Sequence, residues 1–120
     1  MRYLLDTCIV LWALDGNRKE LKSHLHIIEN PNFELAISVV SYWEIVIKKS
    51  LGKLEIDDNW TSYLDKLGTV WLHLEPGHVK QLEKLPLIHH DPFDRLLIAQ
   101  AQADQRTLLT NDEKILQYFR

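Results

Sequence analysis

Two short apolar runs early in the chain each end in a helix-capping residue and pass straight into helical periodicity. Arg2 to Leu5 runs into Asp6-Thr7 with the apolar segment Cys8 to Leu14 behind it, and Leu35-Ala36-Ile37 runs into Ser38, after which Val39, Val40, Trp43, Val46 and Ile47 recur with period 3.6. Strand, cap and helix thus follow one another twice. Val70-Trp71-Leu72 and Thr107-Leu108-Leu109 read as two further short strands, the first followed by a helix from Pro76-Gly77 carrying Val79, Leu82 and Leu85, the second by a last helical turn or two through Tyr118. Between these units, the turn cluster Asp15-Gly16-Asn17 opens a helix with Leu21, Leu25 and Ile28 that Pro31 ends. Asp57-Asp58 opens another with Trp60, Leu64 and Leu67, closed by Gly68. Short strands that alternate with helices pair in parallel through right-handed crossovers. The expected fold class is therefore α/β, a three-layer α/β/α sandwich with a short parallel central sheet.

The stretch His89 to Ala101, HHDPFDRLLIAQA, needs a separate explanation. Asp91 is a favoured N-cap and Pro92 suits the first helical position, so a helix begins here. Leu97, Ile98 and Ala101 lie three, four and seven positions after Asp94 and form the stripe that turns inward with it. A carboxylate at the head of a buried stripe is costly without a partner. Arg95 or a lysine elsewhere supplies that charge on a purely structural reading, and on this helix alone the two readings are even.

At 120 residues the chain has the size of one ordinary domain, residues 1–120, with room for a real core. A hydrophobic content of 46% with 26% charged residues is that of a soluble globular protein. The single cysteine, Cys8, allows no intrachain disulfide and no zinc spacing, which points to a reducing, cytoplasmic setting. The run Ile9 to Leu14 is too brief to span a bilayer, so no membrane role is expected. A formal net charge of −3 excludes a protein that coats nucleic acid by bulk positive charge. Any contact with nucleic acid has to be local.

Open parallel sheets bind ligands at the carboxyl ends of their strands, near the point where strand order reverses. Asp6 follows the first strand, Glu44 lies in the helix after the second, Asp112 follows the last, and Asp94 heads its own helix. Each also has an ordinary role. Asp6 can cap the next helix, and Ser41-x-x-Glu44 and Thr110-x-x-Glu113 both read as capping boxes, leaving Asp112 a first-turn acid. Taken jointly they are harder to dismiss, because two carboxylates about 4 Å apart repel by roughly 4 kcal/mol at an effective dielectric near 20. Four acids in one cleft need a cation. A set of carboxylates without thiolate or histidine suits Mg²⁺ or Mn²⁺, hard ions that take remaining ligands from water and phosphate.

LLDT at Leu4 to Thr7, SYWEIVIKKSLGKL at Ser41 to Leu54, HHDPFDRLLIAQA and LLTND at Leu108 to Asp112 together resemble the PIN domain, specifically the VapC-like toxins of type II toxin-antitoxin systems. The resemblance covers nearly the whole chain and rests on the combination and order of the motifs. It implies a metal-dependent ribonuclease whose catalytic and metal-binding carboxylates are Asp6, Glu44, Asp94 and Asp112, with Asp91, Thr7 and Thr110 as auxiliary residues. It further implies an RNA substrate, a cognate antitoxin protein and a homodimer. PIN domains usually finish with an edge strand after the last helix, and no such run follows Tyr118.

The chemistry expected is in-line attack of water on an RNA phosphodiester with one or two Mg²⁺ ions. Asp6 and Asp94 are the direct ligands on this reading, and Glu44 and Asp112 hold a second ion or orient water. Lys48, Lys49 and Arg95 are candidates for phosphate contacts against a solvated-face alternative. Trp12, Trp43 and Tyr42 can stack on bases, receive a partner, or belong to the core. The alternatives are a catalytically silent PIN-like module that binds RNA or protein, and a phosphoacceptor signalling domain. The second expects paired acids after the first strand, where Asp6 stands alone, and a haloacid-dehalogenase-type phosphatase needs an Asp where Cys8 stands. His89 and His90 read as loop histidines near a helix start.

Overall fold

The structure, a computed structural model, describes all residues 1–120. Four strands form one sheet in the order β3-β2-β1-β4: β1 (Arg2–Leu5), β2 (Glu34–Ser38), β3 (Val70–Leu72) and β4 (Thr107–Leu109). Every pairing is parallel, with Leu5 opposite both Ile37 and Leu109. The chain moves outward from β1 through β2 to β3 and then crosses back to lay β4 on the other side of β1. Strand order therefore reverses at β1, and the crevice where a ligand is expected lies beyond Leu5 and Leu109.

Alternation along the strands divides the core between the two faces of the sheet. Tyr3, Leu5, Leu35, Ile37 and Leu109 turn to one side, where they meet Ile9 and Val10 of α1 (Thr7–Leu14), Ile45 of α4 (Val39–Ser50), and Trp60 and Leu64 of α5 (Trp60–Lys66). Leu4, Ala36 and Leu108 turn to the other side. There they meet Leu97, Ile98 and Ala101 of α7 (Pro92–Ala103), Val40 of α4 and Ile115 of α8 (Glu113–Leu116). The three-layer α/β/α sandwich is as expected, and the stripe of α7 turns inward. No helix is long and apolar enough to cross a membrane.

Two segments depart from the periodicity. The single helix expected up to Asn30 is broken into α2 (Arg18–Leu21), a 3-10 turn at Lys22–His24, and α3 (Leu25–Ile28). Only Leu21 of its apolar residues is buried, so packing gives little reason for one continuous helix. The break, with Lys22 at φ 42°, lets His24 Nε2 donate to Asn111 at 2.8 Å while Asn111 donates to the Glu20 carbonyl at 3.2 Å. In α6 (Pro76–Gln81) the buried side chain is His78, and Val79, expected in the core, is exposed. His78 accepts the Glu75 N–H at Nδ1 and donates from Nε2 to Asp104 at 3.1 Å, so its polar atoms are satisfied and it can replace an apolar anchor.

Candidate active site

The strand ends and helix starts that meet beyond β1 and β4 are each fixed by a capping acid or hydroxyl. Asp6 caps α1 by accepting the Ile9 N–H at 2.8 Å. Ser38 caps α4 through the Val40 N–H, Asp91 caps α7 through the Asp94 N–H at 3.0 Å, and Asp112 caps α8 through the Lys114 N–H at 2.8 Å. Neither expected capping box forms. Ser41 is inside α4 and buried, and Thr110 precedes the true cap, Asp112.

Capping does not disperse the acids. Asp6, Glu44, Asp91, Asp94 and Asp112 line one cavity of about 300 Å³ together with Thr7, Cys8, Trp12, Lys48 and Asn111. Asp6 and Glu44 are buried and Asp112 is exposed at the mouth. Thr110 donates its hydroxyl to Asp6 Oδ2 and accepts the Asp112 N–H at 3.0 Å, thereby linking the two strand-end acids. Thr7 donates to Glu44 Oε1 at 2.7 Å, and since its one proton is committed there, Ser41 donates to Thr7 at 2.9 Å. Lys48 closes on Glu44 Oε2 at 2.7 Å, one helical turn away.

The electrostatics follow from this crowding. Burial, followed by Asp91 and Glu44, pushes the Asp94 carboxyl up to about 6, against a lowering pull from His89. Burial raises Asp6 as well, opposed by its hydrogen bonds from Thr110 and Ile9. The Cys8 thiol is pushed up to about 11 by burial and by Asp6, Asp94 and Glu44, which keeps it protonated at neutral pH. Hydrogen bonding to Glu44 raises Lys48.

The partner expected for Asp94 is not Arg95. His89 Nε2 lies 2.9 Å from Asp94 Oδ2 and 3.6 Å from Asp112 Oδ2. Arg95 instead donates to the Pro86 and His89 carbonyls and to the Tyr118 hydroxyl, and Lys49 pairs with Asp58 and the Ile56 carbonyl. Both are occupied outside the cavity, and of the three cations expected to meet phosphate only Lys48 lines it. Trp43 packs edge-on against Phe93, and Tyr42 against Trp60 and Trp71, all away from the acids. His89, which reads from the sequence as a loop histidine near a helix start, stands at the site against Asp94. The only sequence signal for it is its place two residues before the Asp91 cap, which is too ordinary to distinguish a site histidine from a loop one.

The donor set accommodates a divalent cation. One ligand atom each from His89, Asp94 and Asp112 lies within 4.8 Å of the others. His89 Nε2 is buried yet makes no properly directed hydrogen bond, although a carboxylate oxygen is 2.9 Å away. A buried polar atom without a directed partner, facing two carboxylates, is what remains when charges are grouped around a position that an ion would fill.

The PIN domain family model matches residues 3–119. Comparison with curated protein sequences finds no match. Among solved structures the chain is similar to the crystal structure of VapBC2 from Rickettsia felis bound to a DNA fragment from their promoter. That likeness has 21% identity and a TM-score of 0.73, and it covers 98% of this chain and 93% of the other.

Proposed function

The chain belongs to the PIN-domain family, and on that footing we propose that it is a metal-dependent endoribonuclease, the toxin of a toxin-antitoxin pair. The observation that carries this reading is the convergence of His89, Asp94 and Asp112 within 4.8 Å, with Asp6, Asp91 and Glu44 on the walls of the same cavity. A site so acidic repels RNA unless a cation intervenes.

Asp94 and Asp112 would hold the ion, Asp6 would stand behind them, and Glu44 would orient water from the α4 side. Carboxylate oxygens suit Mg²⁺, and an imidazole beside them favours Mn²⁺. Such an ion, when bound, sharpens a water for attack and neutralises phosphate charge. The chain's own residues do the positioning. Thr110 and Thr7 fix the rotamers of Asp6 and Glu44, and Lys48 Nζ offers the one lysine or arginine charge on the cavity wall to a phosphate oxygen.

Structural likeness to a VapBC2 chain supports a cognate antitoxin as partner. The outer face of α4 supports a homodimer, since Val39, Tyr42, Trp43 and Val46 are all exposed there. The decisive experiment incubates the purified protein with total cellular RNA in Mg²⁺, in Mn²⁺ and in EDTA, and maps the cut ends. Discrete cuts that require the metal are expected, and cutting indifferent to EDTA would remove the proposal.

A further inference from the structure

A second cavity shares two of its walls with the acidic one. It measures about 280 Å³ and is lined by Leu11, Trp12, Leu14, Leu54 and Ile56, with Asp15 and Glu55 also on its lining. Leu11 and Trp12 belong to both cavities. From this arrangement we infer that the second cavity is a subsite for one nucleobase of the RNA, stacked on Trp12 beside the phosphate that is cut. The inference rests on the nuclease reading of the acidic cavity and adds to it the choice of base.

Three observations favour a base. Trp43, Trp60 and Trp71 each pack against another aromatic ring, whereas Trp12 has no aromatic partner, which leaves it able to receive one. Trp12 is also held firmly, because it and its neighbours Leu11, Leu14, Leu54 and Ile56 pack against the core beneath β1. A rigid indole loses little freedom on stacking. Finally, Asp15 and Glu55 are exposed and engage no hydrogen bond or ion pair through their carboxylates. A carboxylate only accepts, so these two select a base that presents N–H donors. Guanine, which offers adjacent N1–H and N2–H groups to a single carboxylate, ranks first, and uracil, with one N–H, ranks last. A purely apolar peptide would leave both carboxylates unused.

The test uses short single-stranded RNAs that differ only in the base next to the cut bond, and it reads binding and cleavage separately. Binding is followed by anisotropy of a labelled RNA. Trp12→Ala is expected to weaken binding roughly tenfold, with Trp12→Phe recovering most of it, as a stacking platform requires. Glu55→Gln, an exposed and structurally mild change, is expected to reduce the preference for guanine over uracil at least about threefold, read as the ratio of the two affinities. Equal affinity of wild type, Trp12→Ala and Trp12→Phe for all four RNAs overturns the subsite. Cleavage reports on the nuclease reading alone. RNA that is bound in a Trp12-dependent way and never cut would sustain the subsite while ending the nuclease assignment.

Discussion

The phenolic oxygen of Tyr118 accepts the backbone N–H of His89 at 2.8 Å and that of Ile88 at 3.0 Å, while its proton goes to the Pro86 carbonyl at 2.8 Å. Arg95 donates to the same oxygen at 3.2 Å. One hydroxyl near the end of the chain thus anchors the loop that delivers His89 to Asp94. Tyr118→Phe should destabilise the protein by about 2 kcal/mol, because two backbone donors lose their acceptor. It should also weaken metal binding through a loosened His89 loop. Thermal melts with and without Mn²⁺ check both effects, and an unchanged metal response would separate the loop from the site.

Asp94→Asn should abolish metal-dependent RNA cleavage while stabilising the metal-free protein. The folded carboxyl sits at about 6 against an ordinary 3.8, so between these values the native state binds more protons than the unfolded chain. Its cost to stability is absent at about pH 4, grows as pH rises, and is complete above about pH 6. After discounting for solvent screening and for the lost first-turn charge, the variant should gain about 1 kcal/mol at pH 7 and nothing at about pH 4. Melting curves at the two pH values measure the difference.

Divalent metal should raise the melting temperature, by about 2.7 kcal/mol of added stability at a hundredfold excess over Kd, and EDTA should reverse the rise. Because Asp94 must give up its proton to a metal, apparent affinity should fall as pH drops below about 6, by up to roughly tenfold per pH unit. Calorimetric titration of Mn²⁺ across that range gives the slope. A flat profile would place the ion away from Asp94.

Thr110→Val should cost about 2–3 kcal/mol and Thr110→Ser much less. The hydroxyl serves both the buried Asp6 carboxylate and the Asp112 N–H, and valine keeps the shape while leaving both without it. Denaturant unfolding of the pair isolates the hydroxyl from the methyl.

How far the sequence foretold this arrangement depended on the range of the interactions involved. Asp91-Pro92 followed by Leu97, Ile98 and Ala101 was readable because caps and helical stripes are local, and so were the four strands as short apolar runs, two of them directly ahead of the caps Asp6 and Ser38. Parallel order carried the strand-end acids to one edge. What stayed hidden was decided by contacts across the fold. Arg95 is taken by Tyr118, and Lys49 by Asp58. Ser41 turns inward to Thr7, so the capping box it could have formed with Glu44 is absent. The helix after Asn17 breaks so that His24 can reach Asn111, a partner 87 positions away that no short-range periodicity announces.

The hydrogen bond from Thr110 to Asp6 spans 104 positions of chain, from the last strand to the first. The acidic cavity therefore cannot form from the segments ahead of Asp91 alone, because it needs Asp94 and Asp112 from α7 and the start of α8, the same elements that bury Leu97, Ile98 and Ala101 against the sheet. A chain cut ahead of α7 loses one covering layer of the sheet together with the site, so scaffold and cavity stand or fall as one.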